Sequence, residues 1–276
     1  MELNLIEVLK IIILGIVEGI TEWLPISSTG HMLLVDAIMP LQVSEGFKNM
    51  FLVLIQLGAI LAVVVIYFRK LWPFAKKEKY FIKQDTFQLW LKIAVACIPA
   101  IVIGLPFDDI VEEKFYNPAT IATTLIIYGI AFIVIEKKNV GSVPKVTELS
   151  QITYPIALFI GAFQVLAIIP GTSRSGATIV AALLLGTSRY VATEFTFFLA
   201  IPAMFGASLL KLVKFGFDFT SYEVFVLLLG MAVAFVVSIF AIKFLIGYIK
   251  NNDFKLFGYY RIVLGCLIIA YFLLAR

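Results

Sequence analysis

Two polar clusters interrupt otherwise apolar stretches of this sequence, at residues 18–31 and 170–176. The first holds two carboxylates, a Ser-Ser-Thr run and the only histidine of the chain, and the second holds an arginine between two serines. Ionisable groups at membrane depth are costly and seldom persist without a partner or a function. Carboxylates, hydroxyls, an imidazole and a guanidinium together can bind a phosphate group and carry out chemistry on it.

The two carboxylates of the first cluster, Glu18 and Glu22, are four positions apart and therefore share one face of a helix. Two ionised carboxylates this close repel each other, and a divalent cation or a shared proton relieves the repulsion. We expect a Mg²⁺ or Ca²⁺ site here that bridges to a phosphate; the alternative is a structural pair that hydrogen-bonds between helices. Gln56 and Gln164 are further candidates for lining the site.

The hydroxyl run Ser27, Ser28 and Thr29 follows Pro25, a residue that breaks a helix. Serines directly before a resumed helix can be N-caps without a chemical role. A hydroxyl near His31 can instead be a nucleophile activated by a base, and three positions from Ser28 to His31 make about one helical turn. For His31 the alternative is a buried histidine that only forms structural hydrogen bonds.

The second cluster places Arg174 between Ser173 and Ser175, immediately before an apolar segment. Backbone N–H groups at a helix start, a planar guanidinium and two hydroxyls form a cradle for an anion. The alternative is an ion pair between Arg174 and Glu18 or Glu22. The two interpretations are compatible, because a phosphate can lie between the arginine and the glutamates.

The composition of the chain indicates that membrane-spanning helices position the two polar clusters. The chain has 276 residues, of which 62% are hydrophobic and 14% charged, and its mean hydropathy is +1.03. A soluble domain carries nearer ~25% charged residues. We therefore predict an all-α integral membrane protein forming a single membrane domain over 1–276; its basic residues lack the aromatic interleaving of a nucleic-acid surface. Six apolar runs are long enough to span a bilayer: 50–68, 89–107, 118–135, 194–214, 222–246 and 256–275.

Four shorter apolar pieces flank the polar clusters, at 5–24, 32–41, 153–169 and 177–187. Short helices beside Pro-Gly or Pro-x-Ser-Ser breaks are typical of re-entrant segments. We predict two re-entrant helical hairpins, 5–41 and 153–187. Each polar cluster then lies at a hairpin tip.

The two halves of the chain resemble each other at a constant offset of 146 positions, which aligns Gly15 with Gly161, Ser27 with Ser173 and Gly30 with Gly176. We predict repeat one over about 1–136 and repeat two over about 150–276. Each repeat contains one hairpin and three spans, and three is odd, so the second copy is inverted relative to the first. Inverted repeats with broken helices place their binding site near the bilayer midplane.

Charge predicts the orientation of the chain in the membrane. Three segments between apolar runs are basic: 69–92, 136–152 and 243–255. The segment 108–117, which we expect to be a loop, is acidic. Because cytoplasmic loops carry an excess of Lys and Arg, we expect both termini outside, the first hairpin entering from outside and the second from inside. Lys211 and Lys214 lie near an outer end, where long side chains can reach the interface.

The two clusters resemble the signatures of the undecaprenyl-diphosphate phosphatases, also called bacitracin-resistance proteins. They read Glu18-Gly-Ile-Thr-Glu22-Trp-Leu-Pro-Ile-Ser-Ser-Thr-Gly-His31 and Pro170-Gly-Thr-Ser-Arg-Ser-Gly-Ala-Thr178. The resemblance covers nearly the whole length of the chain.

This resemblance implies hydrolysis of the C55 lipid undecaprenyl diphosphate to its monophosphate, which recycles the cell-wall lipid carrier and confers bacitracin resistance. It implies a divalent metal and a site open to the periplasmic side of the bacterial inner membrane. By position, metal and acid–base roles fall on Glu18, Glu22 and His31, the nucleophile on Ser28 and phosphate binding on Arg174. Further substrate-binding hydroxyls are Ser27, Thr29, Ser173, Ser175 and Thr178. The expected partners are the lipid substrate, the membrane and a second copy of the chain in a homodimer.

The main alternative is a transporter or flippase of a prenyl-phosphate lipid, which the inverted repeat and midplane site favour. Fold alone does not decide between the two, whereas release of phosphate by purified protein does. A phosphatase of the type-2 phosphatidate class uses two histidines, and this chain has one.

Overall fold

The computed structural model describes residues 4–75 and 81–274. Lys76, Lys77 and Lys79, part of the basic segment used to predict the orientation, lie outside the described residues. In the described residues the regular structure is helical, apart from two isolated β-bridges. The prediction of an all-α integral membrane protein is confirmed.

Six helices in the described part of the chain are long and apolar enough to cross a membrane, as predicted. They are α3 (Glu45–Ile66), α5 (Gln84–Pro99) with its continuation to Phe107, α7 (Pro118–Lys138), α10 (Arg189–Phe215), α11 (Ser221–Tyr248) and α12 (Lys255–Leu274). A one-turn helix, α4 (Phe68–Leu71), follows α3.

Helices α3 and α10 begin several residues before the apolar runs that predicted them. Ser44 accepts a hydrogen bond from the backbone N–H of Phe47, and Ser188 accepts one from that of Val191. These side-chain caps satisfy backbone donors at the helix start. Hydropathy alone therefore locates the membrane-spanning part of each helix, while the caps set where it starts.

The acidic segment 108–117 is not the predicted loop. Helix α5 contains Pro99, continues through a π-helical turn at Ala100–Gly104 and runs on as α6 (Leu105–Phe115). Proline removes a backbone donor, and a π-helical turn lets the helix continue beyond such a disruption. Lys214 Nζ lies 2.6 Å from Asp109 Oδ1, and this hydrogen bond lowers the pKa of the Asp109 carboxyl.

The shorter helices form two hairpins that break at the predicted polar clusters. The first consists of α1 (Leu5–Thr21) and α2 (Ser28–Ile38). The second consists of α8 (Tyr154–Val165), a 3₁₀ turn at Leu166–Ile168 and α9 (Arg174–Leu184). Both tips are therefore non-helical segments that lead into an 11-residue helix.

In each hairpin, the two ends of the chain away from the tip contact each other. In the first, Lys10 Nζ donates to Pro40 O at 2.8 Å and the Gln42 N–H donates to Glu7 at 3.1 Å. In the second, the Gly186 carbonyl accepts from the backbone N–H of the segment before α8, at 2.8 Å. Re-entry into a bilayer and the inverted repeat over 1–136 and 150–276 stay predictions.

Close helix contacts join a hairpin to a span and two spans to each other. A Cβ built on Gly161 of α8 would lie 2.0 Å from the Ala96 carbonyl oxygen of α5, and one on Gly58 of α3 would lie 2.1 Å from Met231 O of α11. Small residues permit such backbone approach between membrane helices. Within the first tip, the fully buried Trp23 ring meets Phe197 edge-on at 5.2 Å. The tips thus rest on a packed core.

Candidate active site

The two hairpin tips have the same unusual backbone conformation just before their second helices. Ser27 has φ 72° and ψ 105°, and Ser173 has φ 69° and ψ 119°. Positive φ is uncommon for a residue with a side chain and costs about 1–3 kcal/mol in sparsely populated regions. The two serines are among the positions that the sequence aligned at the offset of 146. Ser28 and Arg174 are consequently equivalent first residues of α2 and α9.

Glu22 links the two tips through both oxygens of its carboxylate. Its Oε1 accepts from Arg174 Nη2 at 2.8 Å, and its Oε2 accepts from Ser28 Oγ at 3.0 Å. Ser175 Oγ donates to the Glu22 main-chain carbonyl at 3.3 Å. Of the two glutamates that the sequence left open as partners of Arg174, the structure selects Glu22.

A cavity of about 580 Å³ opens beside this link. Three of the predicted site residues, Glu18, Ser28 and Thr29, line it together with Gln56. Its other walls include apolar side chains, among them Met32 and residues of α3, and acidic residues of α6. A cavity with polar and apolar walls suits a ligand that is charged at one end and apolar at the other.

The two predicted metal ligands lie together. Glu18 is 1% exposed, its carboxyl lies near the Glu22 carboxyl, and its Oε1 has no partner among the described residues. Within those residues, no group of three His, Cys, Asp or Glu side chains is placed to hold a metal ion. Two carboxylates with an unpartnered oxygen fit a hard divalent cation that takes its other ligands from water or phosphate oxygens.

Both ring nitrogens of His31 form hydrogen bonds with groups other than the Ser28 hydroxyl. Its Nδ1 lies 2.7 Å from the Ser27 carbonyl and its Nε2 lies 2.7 Å from the Tyr260 hydroxyl, with the two rings stacked. A carbonyl only accepts, so Nδ1 donates and, in the neutral ring, Nε2 accepts from Tyr260. The structure brings Glu22 to the Ser28 hydroxyl and leaves His31 to brace the first tip. An acid–base or metal role for His31 stays a prediction.

The hydroxyls of the second cluster shape the tip. Ser173 Oγ accepts from the Gly176 N–H at 3.1 Å, as an N-cap, and lies 3.2 Å from Ser175 Oγ. Thr178 Oγ1 donates to the Arg174 carbonyl at 3.0 Å and lies 2.9 Å from the Thr196 hydroxyl. These groups hold the first turn of α9 against α10. Phosphate binding by Ser173, Ser175 and Thr178 stays a prediction.

Several buried polar atoms near the tips have no hydrogen-bond partner among the described residues. They include the Oγ of Ser27, the Oγ1 of Thr172 and both amide atoms of Gln164. Buried polar groups in proteins are nearly always paired, and an orphan calls for a water, an ion or a ligand. The orphans here belong to both tips and to the end of α8. This concentration is what a site that binds a polar group requires.

Sequence reasoning missed two neighbouring residues of α12. Tyr260 contacts His31, as described above, and Arg261 donates to main-chain carbonyls of both tips. Arg261 is an ionisable residue inside an apolar run, the same signal that singled out Glu18. Because it occurs alone rather than in a polar cluster, it did not stand out. Thr196 of α10, the partner of Thr178, carries no comparable signal.

The fold and the site define an integral membrane protein with a charged cavity between the tips of two helical hairpins. The family described as bacitracin resistance protein BacA matches residues 11–267 of the chain. The chain belongs to this family.

Relatives match over almost the full length. An undecaprenyl-diphosphatase of Lachnoclostridium phytofermentans is 67% identical over 99% of this chain and 100% of its own. A protein of the same name from Acetivibrio thermocellus is 60% identical over 99% of this chain and 100% of its own. Another from Enterococcus faecalis is 61% identical over 98% of both chains. The family resemblance drawn from the two signatures is confirmed.

Proposed function

We propose that this protein hydrolyses undecaprenyl diphosphate to undecaprenyl phosphate and inorganic phosphate. The observation that carries the proposal is the Glu22 carboxylate, which accepts from the Arg174 guanidinium and from the hydroxyl of Ser28, and Ser28 in turn lines a cavity with polar and apolar walls. A base, a hydroxyl and an anion-binding fork are the groups that phosphoryl transfer needs. The names of the full-length relatives supply the lipid. This activity recycles the cell-wall lipid carrier and confers resistance to bacitracin.

In the first chemical step, the Ser28 oxygen attacks the terminal phosphorus and its proton passes to Glu22. The bond from this phosphorus to the bridging oxygen breaks, and undecaprenyl phosphate leaves with the bonding electron pair. Arg174 exchanges its bond to Glu22 for bonds to phosphate oxygens, where its planar fork stabilises the developing charge. The exchange frees the Glu22 carboxylate to act as the base.

In the second step, water attacks the phosphorus of the phosphoserine. The protonated Glu22 returns its proton to the Ser28 oxygen as the P–O bond to the serine breaks, and the carboxylate formed takes a proton from the attacking water. Glu22 then releases that proton to solvent, which restores the carboxylate. Inorganic phosphate is released and the hydroxyl is restored. The rival mechanism is direct attack by water, with Ser28 only hydrogen-bonding the phosphate.

Glu18 and Glu22 would hold a Mg²⁺ or Ca²⁺ ion. When bound, such an ion neutralises charge on the phosphate oxygens and orients the diphosphate. The Oε1 of Glu18, which has no hydrogen-bond partner in the described part of the chain, supports this assignment.

We place the protein in the bacterial inner membrane with the cavity open to the periplasmic side. Asp109 and Glu113 of the acidic helix α6 line the cavity, and the positive-inside rule puts the acidic end of the bundle outside. The proposed substrate would then reach the site from the outer leaflet.

The test is phosphate release from a prenyl diphosphate by detergent-purified protein, with Mg²⁺ or Ca²⁺ and with EDTA. We expect turnover that EDTA abolishes, and a loss of at least ~10³-fold in Ser28→Ala. Ser142→Ala, at an exposed loop serine, is the matched control and should keep full activity. Transfer of labelled prenyl phosphate between leaflets without phosphate release would contradict the phosphatase and support the flippase.

Two further experiments on the same purified protein identify the nucleophile. Rapid-quench trapping of a phosphoenzyme at Ser28 supports the two-step mechanism. A chiral phosphate substrate separates the two mechanisms, because double displacement retains configuration at phosphorus and single displacement inverts it. Inversion would exclude Ser28 as nucleophile and leave the phosphatase assignment intact.

A further inference from the structure

Arg261 is a fully buried arginine in the first half of the membrane-spanning helix α12, with 0% of its surface exposed. Its hydrogen-bond partners among the described residues are all main-chain carbonyls, and its guanidinium lies 5.6 Å from the Tyr128 ring centre. A buried charge without a counter-ion is expensive. The position of this charge therefore calls for an explanation beyond packing.

The carbonyls that Arg261 contacts belong to both hairpin tips. Its Nη1 donates to Pro25 O at 3.3 Å in the first tip, and its Nη2 donates to Gly171 O and Thr172 O, each at 2.9 Å, in the second. Pro25 and Gly171 are again 146 positions apart, and each lies three residues before the first residue of its helix, Ser28 or Arg174. One side chain thus ties together equivalent points of the two tips.

The surroundings of Arg261 leave the guanidinium little freedom. Its Nε lies 3.4 Å from Leu125 O in α7, and a Cβ added at Gly176 of α9 would lie 3.1 Å from its Nη1. The adjacent Tyr260 holds the ring of His31 in α2. Helix α12 therefore supports the starts of both α2 and α9 from one position.

We propose that Arg261 is a positioning residue that sets the distance between the Ser28–Glu22 side and the Arg174 side of the active site. The proposal rests on the proposed phosphatase function, since it concerns the same site. Arg261 contacts tip carbonyls and acts on the reaction through them. Misplacing catalytic groups by about 1 Å can cost ~10²-fold in rate, so a loss of this link affects turnover even in a folded protein.

The first test is a double-mutant cycle on hydrolysis. Lysine cannot reproduce the planar fork that contacts the three tip carbonyls, so Arg261→Lys should lower kcat by ~10²-fold with KM within ~3-fold of wild type. If Arg261 acts by placing Arg174, its loss adds little once Arg174 is impaired. Arg261→Lys combined with Arg174→Lys should then stay within ~3-fold of the slower single variant.

Arg189→Lys is the matched control. Arg189 pairs with the buried Glu136 through Nε at 2.8 Å and holds α10 against α7, away from the tips. This variant should change kcat by less than ~3-fold, and its effect should multiply with that of Arg174→Lys. If the kcat losses of Arg261→Lys and Arg174→Lys multiplied in the double variant, Arg261 would have a general structural role and the proposal would be overturned.

Hydrogen exchange gives a readout that does not depend on catalysis. Amides of residues 22–31 and 169–177 should exchange faster in Arg261→Lys and keep wild-type rates in Arg189→Lys. Unchanged tip exchange in Arg261→Lys would overturn the proposal even if turnover fell. If wild type released no phosphate, the proposed function would fail while the exchange data still decided the positioning role. Should Arg261→Lys not yield folded protein, Arg261→Gln, which keeps an amide donor without the charge, takes its place in both tests.

Discussion

Glu22 hydrogen-bonds two partners from different parts of the chain, Ser28 in α2 and Arg174 in α9. In the structure the Arg174 guanidinium is satisfied by a carboxylate, and in the proposed reaction it must bind phosphate oxygens instead. A planar fork can hold one oxygen of each partner during that exchange, whereas a point charge cannot. The residue type at position 174 is therefore as important as its charge.

We expect Arg174→Lys to lose on the order of 10²-fold or more in kcat, because lysine keeps the charge and removes the fork that contacts the transition state. Steady-state phosphate release measures the effect. Arg69→Lys, the same change at an exposed arginine, is the control and should leave the rate unchanged. Nearly full activity in Arg174→Lys would mean that this arginine only pairs with Glu22 for stability.

The residues of the site could be predicted from the sequence more fully than their partners. Glu18, Glu22, Ser28 and Arg174 stand out because polar groups in apolar sequence are rare. Their contacts join positions 152 residues apart in the case of Arg174 and Glu22. Local spacing carries no information about such contacts, which is why the sequence offered His31 or a glutamate as the base and the structure places Glu22 at Ser28.

At the scale of the elements, the hairpins depend on helix contacts that leave no room for a side chain. Gly161→Ala should push α8 away from α5, because its Cβ would meet the Ala96 backbone at 2.0 Å. Overpacking of this kind typically costs ~1–3 kcal/mol. Thermal unfolding in detergent measures the loss, and phosphate release should fall with it because α8 leads into the second tip.

Gly206→Ala in α10 is the matched control for this helix contact. No atom of the described residues lies within 4 Å of a Cβ built at Gly206, so alanine there should be neutral or should stabilise the helix by up to ~1 kcal/mol. Equal melting temperatures for the two variants would contradict the close contact between α8 and α5.

The membrane spans could be predicted from the sequence more fully than the conformation of the hairpin tips. Hydropathy is a local property, and six apolar runs were enough to identify six spans. The acidic segment 108–117 was misassigned because its charges suggested a loop, while the π-helical turn after Pro99 lets the helix continue into it. The positive φ of Ser27 and Ser173 was not predictable, since a serine carries no signal for that conformation.

At the scale of the whole molecule, the direction of the two hairpins can be measured by cysteine labelling of intact cells. In a cysteine-free background, an impermeant thiol reagent should label Lys114→Cys and Gln42→Cys, at the acidic end. Val140→Cys, in an exposed loop at the basic end, should react only after permeabilisation. The expected pattern follows from the positive-inside rule and the contacts between the ends of the first hairpin.

Labelling of Lys114→Cys and Val140→Cys from the same side would contradict the predicted topology. Protection of Gln42→Cys in cells where Lys114→Cys reacts would contradict entry of the first hairpin from outside. The homodimer stays a prediction at this scale.

The cavity of about 580 Å³ has the size of a site for a small molecule, and a 55-carbon tail is far larger than that. The protein can therefore enclose the diphosphate and the first part of the chain, while the remaining tail stays among the lipids. The relevant substrate concentration is then a mole fraction in the membrane, because enzyme and substrate meet by lateral diffusion. Added lipid or detergent dilutes the substrate in two dimensions even when the amount per millilitre is constant, so an apparent KM has meaning only when stated per unit of amphiphile.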